Sequence, residues 1–301
     1  MNNALNYLLC ALHISSYRPK VKDRKLSKDF AAEHTTDENA VDVLKNLFPG
    51  NTFPELSKVL KLLSDTYRIC YEITVTYDNN GLRFLPFANA EKHREQVKLA
   101  EDSLPMLLDD LVAGYPAALL RAKQALNGTF KASDYMTASQ LRDRFSVSCE
   151  YFAPEQKLPD GSMPTAILDI INSQVDARTA SHIENANNDL WTRIYKVVGA
   201  FQKAMADPAK QRFHDSLLEN VSEVCGLLKT LNVGNNPDLE NMRATLEKQI
   251  ASLQMDTLKD SENARKDAAS KATEILTEVA RKVTFVKKAV PINAEAVNAT
   301  A

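Results

Sequence analysis

The chain is short of glycine. Eight occur in 301 residues, well under the roughly 7% usual in globular proteins. Glycine supplies the positive-φ positions of tight hairpins and lets backbone approach a phosphate closely. Its scarcity argues against a β-barrel, against many short hairpins and against a glycine-rich phosphate loop. The motifs agree: Gly-x-x-x-x-Gly-Lys-Ser/Thr, Gly-x-Gly-x-x-Gly and Gly-x-Ser-x-Gly are all missing. The four cysteines (Cys10, Cys70, Cys149, Cys225) include no Cys-x-x-Cys pair, so neither a zinc ribbon nor a dithiol redox motif is spelled out. They read as buried, reduced thiols of a cytosolic protein. The five histidines (His13, His34, His93, His182, His214) form no His-x-x-x-His pair, and the expectation is a chain with no metal and no cofactor. The formal net charge is only −2, so no overall field marks a nucleic acid or an anionic membrane as partner. Residues 1–10 carry no basic leader region, and no uninterrupted apolar run approaches the roughly 20 residues of a membrane span. A soluble cytoplasmic protein of the bacterial host type, with no membrane partner, is expected.

What is present is helical periodicity. Phe213, Leu217, Val221, Val224, Leu228 and Leu231 recur at steps of three and four, and Leu239, Met242, Leu246, Ile250 and Leu253 repeat the pattern. Each set occupies one face of a helix. Asp207-Pro208 is a start signal, Gly234 a stop, and Asn236-Pro237 a second start. The pattern predicts an antiparallel helical hairpin, open to a coiled-coil reading. Before it, one helix is expected from Thr165 to Ala206, with Ile167, Ile171, Trp191, Ile194, Tyr195, Val198 and Phe201 inward. After it, a last helix is expected from Ser261 to about Val286.

The N-terminal half mixes periods. Leu8, Cys10, Leu12 and Ile14 alternate, as do Val147, Cys149 and Tyr151, and the two runs are predicted to pair as strands, a short helix being the alternative for the first. Thr35 with Glu38 has capping-box spacing and predicts a helix with Val41, Leu44 and Leu47 inward; Thr52 with Glu55, around Pro54, predicts another bearing Leu56, Val59, Leu60 and Leu63. Tyr71, Ile73, Val75 and Tyr77 alternate up to Asp78-Asn79-Asn80-Gly81, which predicts a hairpin to Leu82–Leu85 unless the first arm is the tail of the helix. From Ala88 to Leu126 the spacing is helical again, with Pro105 and Pro116 expected to kink or divide it and Asn127-Gly128 to end it. A short helix follows near Thr137–Phe145. Prolines 154, 159 and 164 around Asp160-Gly161 mark a linker. The expected organisation is a mostly α (α+β) protein: an α+β region over 1–158 with a small β element, a helical bundle or long hairpins over 165–288, and a disordered tail over 289–301.

Few residues invite chemistry. Asp109-Asp110 points its carboxylates about 100° apart on a helix and reads as a solvated face. Trp191 sits among apolar residues at helical spacing and reads as core. The one constellation of note is basic: Arg18, Lys20, Lys22, Arg24, Lys25 and Lys28, opposed only by Asp23 between Arg18 and Lys28. It reads as an arm that contacts phosphates or an acidic protein surface, or as a solvated stretch whose lysine stems cover apolar surface. Arg83 is either an addition to that patch or an internal ion-pair partner. No catalytic residue is assigned.

The order of several landmarks resembles an uncharacterised family of proteins from tailed bacteriophages and prophages. The landmarks are the alternating N-terminal run and basic stretch, then Gly81-Leu82-Arg83-Phe84-Leu85-Pro86, Tyr115-Pro116, Leu126-Asn127-Gly128-Thr129-Phe130 with Asp134-Tyr135, and Asp215 to Asn220. The resemblance covers most of residues 5–255. It implies an accessory protein, in a family sometimes encoded near MoxR-type AAA+ ATPases and von Willebrand A-domain proteins. The function expected is non-enzymatic protein–protein interaction, with an AAA+ ATPase or a second copy of the chain as partner. Nucleic-acid binding by residues 18–28 and a structural role in the virion are the alternatives.

Overall fold

Strand β1 (Tyr7–Ser15) is the spine of a four-stranded antiparallel sheet. In this computed structural model, which describes residues 6–37, 39–206 and 215–283, it pairs on one side with β5 (Leu82–Pro86) and on the other with β6 (Ser146–Phe152). β4 (Val75–Thr76) completes the order β4-β5-β1-β6. The two alternating runs therefore pair as predicted, with Cys10 opposite Tyr151, Leu12 opposite Cys149 and Ile14 opposite Val147. Opposed residues share a face. One face thus carries Cys10, Leu12, Ile14, Arg83, Cys149 and Tyr151, and the other Tyr7, Leu9, Phe84 and Val75.

Two helices, α2 (Pro54–Glu72) and α3 (Phe87–Leu126), pack together beside the sheet. Their shared core holds Leu56, Val59 and Leu63 against Leu104, Leu108, Leu111 and Tyr115, and Ile14 and Val147 of the sheet pack onto it. Pro105 and Pro116 do not divide α3, which stays one element of 40 residues. Both prolines are exposed, so the carbonyls they leave without an amide partner lie toward water. Each interior proline costs roughly 3 kcal/mol. Burial of each leucine on the opposite face returns about 1.5–3 kcal/mol. Asn127, at φ 43, stops the helix as expected.

Three local expectations are corrected. No helix starts at Thr35. Instead α1 (Arg24–Glu33) ends there: Thr35 lies at φ 49 and the Thr36 N–H returns to the Ala31 carbonyl. Glu38 of that capping box lies outside the described residues. Residues Leu44–Asn46 form β3, which pairs with β2 (Lys20–Lys22). Second, α2 begins at Pro54 as predicted, but its cap is Phe53 and makes no side-chain capping bond. The Phe53 ring is drawn to Phe48 and Tyr115, with centroids 4.9 and 5.8 Å away, and this sets the chain entry. Thr52 Oγ1 and Glu55 Oε2 find no hydrogen-bond partner among the described residues. The Glu55 side chain instead lies against Gly114, where a Cβ would stand 2.8 Å from Glu55 Cδ. Third, α2 runs through Glu72, so Tyr71 belongs to it, and only Val75–Thr76 serves as the first hairpin arm.

The short helix α4 (Ala138–Arg142) has the complete Thr137–Gln140 capping box. The linker leads to α5 (Thr165–Ala206), whose bounds match the sequence reading. The chain forms two compact units, residues 1–182 and 183–301, so the division falls inside α5. In the second unit Trp191, Ile194, Val198 and Phe201 are buried. There α6 (Ser216–Leu231) and α7 (Pro237–Leu246) pack on each other, joined by reciprocal Asn232–Asn236 bonds of 2.8 and 3.0 Å. Val221, Val224, Leu228, Leu231, Leu239, Met242, Leu246 and Ile250 are buried as the stripe requires. A π turn at Glu247–Ala251 interrupts the second helix before Leu253. Then come α8 (Met255–Asp260) and α9 (Glu262–Ala280), the latter capped by Ser261. The last helix ends at Ala280, short of the expected end near Val286, in a turn at Arg281–Lys282. Phe213, the Asp207-Pro208 start and the tail over 289–301 lie outside the described residues.

Candidate functional site

The basic segment is folded. Alternation in β2 turns Val21 inward and leaves Lys20 and Lys22 exposed, with Lys22 opposite Leu44 of β3. In α1, Ser27 and Ala31 are buried, while Arg24, Lys25 and Lys28 are exposed. Arg18 is exposed as well, so the structure brings all six predicted cations to the surface of one flap, residues 18–48. Three apolar side chains of the same segment are exposed, Leu26 at 37%, Phe30 at 43% and Leu44 at 59%, and exposed Asp29 and Glu33 lie on the Leu26–Phe30 side of α1. Leu26 and Phe30 lie one turn apart on the same face of α1. Lys22 pairs with Asp42 at 2.5 Å, and the Phe30 ring stacks on His34 at 4.2 Å.

What holds this flap is a residue that sequence reasoning missed. Lys45 faces inward from β3 and is buried. Its Nζ donates to the Thr129 carbonyl at 2.9 Å and to Asp134 Oδ2 at 2.6 Å, with Asp23 Oδ2 at 3.7 Å. Asp23 caps α1 by accepting from the Lys25 and Leu26 N–H groups at 3.1 and 3.2 Å. The Leu26 N–H, with help from Lys131 and Lys45, holds the Asp23 carboxyl below the usual carboxylate range. Ser27 Oγ donates to the Asp23 carbonyl and accepts from the Val43 N–H, tying α1 to the strand that follows. No sequence signal marks Lys45, which stands where a helix was expected.

Arg83 sits elsewhere, opposite Cys10 on the sheet. Its guanidinium donates to Thr74 Oγ1 at 2.6 Å, to the Thr74 carbonyl at 2.9 Å and to Thr76 Oγ1 at 3.3 Å, and it lies 4.1 Å over the Tyr71 ring. It is an internal clamp of the hairpin and of the end of α2, built on hydroxyl, carbonyl and ring partners.

A second surface lies on α3. Leu99, Met106 and Leu120 are 57%, 65% and 66% exposed. Their spacings of 7 and 14 residues stack them in one stripe, with exposed Ala113 between. Asp102, Asp109 and Asp110 border it, all exposed, and Asp109 pairs with Arg142 at 2.5 Å. The solvated reading of Asp109-Asp110 therefore fits their exposure. Among the described residues, α3 is the one helix long and apolar enough to cross a membrane by length and composition. A search for uninterrupted apolar runs misses it because Asp109-Asp110 breaks the run.

The third feature is chemical and concealed. The sheet register brings Cys10 and Cys149 together, and helices supply Cys70 and His93. His93 Nε2 lies 3.8 Å from Cys10 Sγ, and His93 Nδ1 lies 3.1 Å from the Tyr151 hydroxyl. A cavity of about 140 Å³ opens beside them, lined by Cys10, Cys70, Tyr71, Arg83 and His93 among others. Burial, with Arg83 nearby, pushes His93 down to about 4, so the ring is neutral at neutral pH. The hydrogen bond with Cys149 and then burial push the Cys10 thiol up, and burial pushes Cys70 up to about 12. Cys149 alone is pulled down, by its hydrogen bond with Cys10. Buried protonated thiols are unreactive. Among the described residues no three His, Cys, Asp or Glu side chains are placed to hold a metal ion.

No protein-family model, curated protein or solved structure matches the chain.

Proposed function

We propose that this protein is a non-enzymatic accessory protein that binds an acidic protein surface through the flap of residues 18–48. One observation carries the reading: exposed Leu26, Phe30 and Leu44 and six exposed cations lie on one folded segment fastened by buried Lys45. Apolar side chains ringed by charge make the core and rim of a protein interface, and the rim supplies steering and selectivity more than raw affinity. A solvated arm would gain nothing from a buried anchor. The phage resemblance directs the choice of partner to a MoxR-type AAA+ ATPase in the host cytoplasm.

Nucleic acid is the second reading, favoured by exposed Phe30 on the helix that also carries Lys25 and Lys28. Aliphatic Leu26 and Leu44 have no role in base stacking and weigh toward protein.

The test is calorimetric titration with a co-encoded AAA+ ATPase, and in parallel with DNA and RNA at low salt. The wild-type chain is expected to bind the ATPase, and the triple variant Arg24→Glu, Lys25→Glu, Phe30→Glu to bind at least about tenfold more weakly. Binding indifferent to the triple variant sinks the assignment to this surface. Nucleic-acid binding that the variant abolishes moves it to the second reading, because phosphate contacts are strongest at low salt.

A further inference from the structure

We infer that the outer edge of β6 pairs antiparallel with β6 of a second copy of this chain, with Cys149 opposite Cys149, so that two sheets join into one. This surface is separate from the flap and does not depend on how the flap is read.

An open sheet ends in two strands whose outer N–H and C=O groups face no neighbouring strand. Here those ends are β4 and β6. β4 has two residues, too short to template another chain. β6 has seven, about 24 Å of backbone. It pairs with β1 at every position from Ser146 to Phe152, so no bulge turns the edge away. Its sequence, Ser-Val-Ser-Cys-Glu-Tyr-Phe, holds neither proline nor lysine, the residues that commonly blunt an edge. Ser146, Ser148, Glu150, Tyr151 and Phe152 are exposed, and Val147 and Cys149 are half-buried. Among the described residues no strand lies on the outer side of β6.

Any extended chain satisfies the backbone of such an edge. Side chains choose the occupant, and those of β6 suit β6 itself. Cys149 is the middle residue of the seven, so centring there overlaps the whole strand. Val147 then stands opposite Tyr151 of the second copy, twice by symmetry, and a β-branched side chain against an aromatic ring is a favourable cross-strand pair. Ser148 stands opposite Glu150, and Ser146 opposite Phe152. Glu150 is the only charge in the strand, so no like charges meet, whereas centring on Glu150 would oppose two carboxylates. On α3, Glu101 lies near enough for its charge to act on Cys149, and exposed Lys98 stands one turn before it, so the flank of the contact offers both signs. The same patch meets itself, so the contact is isologous and closes at two copies.

Light scattering reads the mass, and position 148 reads the register. Wild-type mass is expected to rise with concentration toward twice the monomer value and no further. Ser148 is exposed, so a longer side chain there is accommodated by solvent. Ser148→Glu sets a carboxylate opposite Glu150 at two symmetric places and is expected to weaken dimerisation about tenfold. Ser148→Lys sets an ammonium there and is expected to tighten it. Matching thermal melts of the two variants separate this from unfolding. Cys149 reads the centre. Directly opposed Cα atoms of an antiparallel pair lie about 4.5–5.5 Å apart, within the span of a disulfide. Diamide, which takes up the two thiol hydrogens, is expected to link the dimer covalently. Cys149→Ser is expected to abolish the link and Cys225→Ser to leave it. A wild-type protein that stays monomeric at every concentration overturns the proposal. So does a dimer that ignores both changes at position 148, one that diamide leaves unlinked, or one that it links without Cys149.

Discussion

In the flap, six cations and three apolar side chains are exposed to water, and one buried ammonium holds the fold beneath them. Under the sheet, three thiols and an imidazole crowd together, yet the Cys149 hydrogen bond and burial hold Cys10 protonated, and burial holds Cys70 protonated and the imidazole neutral. The residue types under the sheet are those that catalysis uses. The flap presents lysines, arginines and apolar side chains, with Asp29, Glu33 and Asp42 exposed beside them. Environment reverses their ranking: the thiol cluster is enclosed and electrically quiet, while the flap presents its charge. Desolvation is the physical reason, since it penalises the charged form of every group it covers. Lys45 is the exception within the flap. It keeps its place inside because Asp134, Thr129 and Asp23 surround its ammonium.

That exception makes the largest prediction. Lys45→Ala removes one partner of a buried pair and leaves the Asp134 carboxylate without it. The expected loss is about 3–5 kcal/mol of unfolding free energy, read by denaturant titration. Lys45→Met together with Asp134→Leu is expected to recover much of it, because the uncompensated charge goes too. A single variant as stable as wild type refutes the anchor. The anchor is also pH-dependent. Asp23 has a lowered folded pKa, so its contribution is present above the unfolded carboxylate value and is lost as pH falls through the folded one.

The thiol cluster supplies the next test. His93 is neutral in the fold down to about 4, against an ordinary 6.5. The unfolded chain therefore binds a proton that the folded chain refuses between these values. Stability is expected to fall as pH drops from 6.5 toward 4, and this contribution stops changing below 4, where both states are protonated. Cys10, Tyr151 and Arg83 face the ring, and only Arg83 carries charge there. His93→Asn is expected to flatten the slope across that window in a series of melts. An unchanged slope assigns it to other groups.

The cysteines sharpen the same contrast by rate. With iodoacetamide at neutral pH, Cys149 is expected to react first among the three, being half-buried and lowered by its hydrogen bond with Cys10. Cys10 and Cys70 are expected to wait for local unfolding. Peptide mapping reads the order, and early loss of Cys70 contradicts it.

The elements that were legible in the sequence share a property, which is length. Alternation over Leu8–Ile14 and Val147–Tyr151 repeats often enough to identify both strands and even their pairing. α5 runs its 42 residues between the predicted bounds, though Ile167, expected inward, is exposed. β2 and β3 have three residues each and carry no measurable period. There a capping-box spacing at Thr35 stood in for evidence, and it was a helix stop. The site was half legible for a similar reason. Charge shows in composition, so the cations of residues 18–28 stood out. Leu44 read as a core position because it was assigned to a helix that does not form. The thiol cluster depends on register and on which helix covers the sheet, and neither is encoded in local spacing. Buried Lys45 was invisible because its partners Thr129 and Asp134 lie more than 80 residues away.

The smallest effect closes the comparison inside the flap itself. Lys22 and Lys45 are both on the β2–β3 ribbon, and both hold an aspartate, at 2.5 and 2.6 Å. Distance does not distinguish them; solvent does. The Lys22 and Asp42 side chains are each about half exposed, so water and salt screen their attraction. Lys22→Ala is expected to cost about 0–1 kcal/mol, and less as salt rises. Against the several kcal/mol of Lys45→Ala, that gap measures burial together with the Thr129 and Asp23 contacts of Lys45, at matched pair distance on the same two strands. Equal losses for the two lysines would mean that the ribbon's stability follows pair distance, and the case for Lys45 as the anchor of the binding surface would go with it.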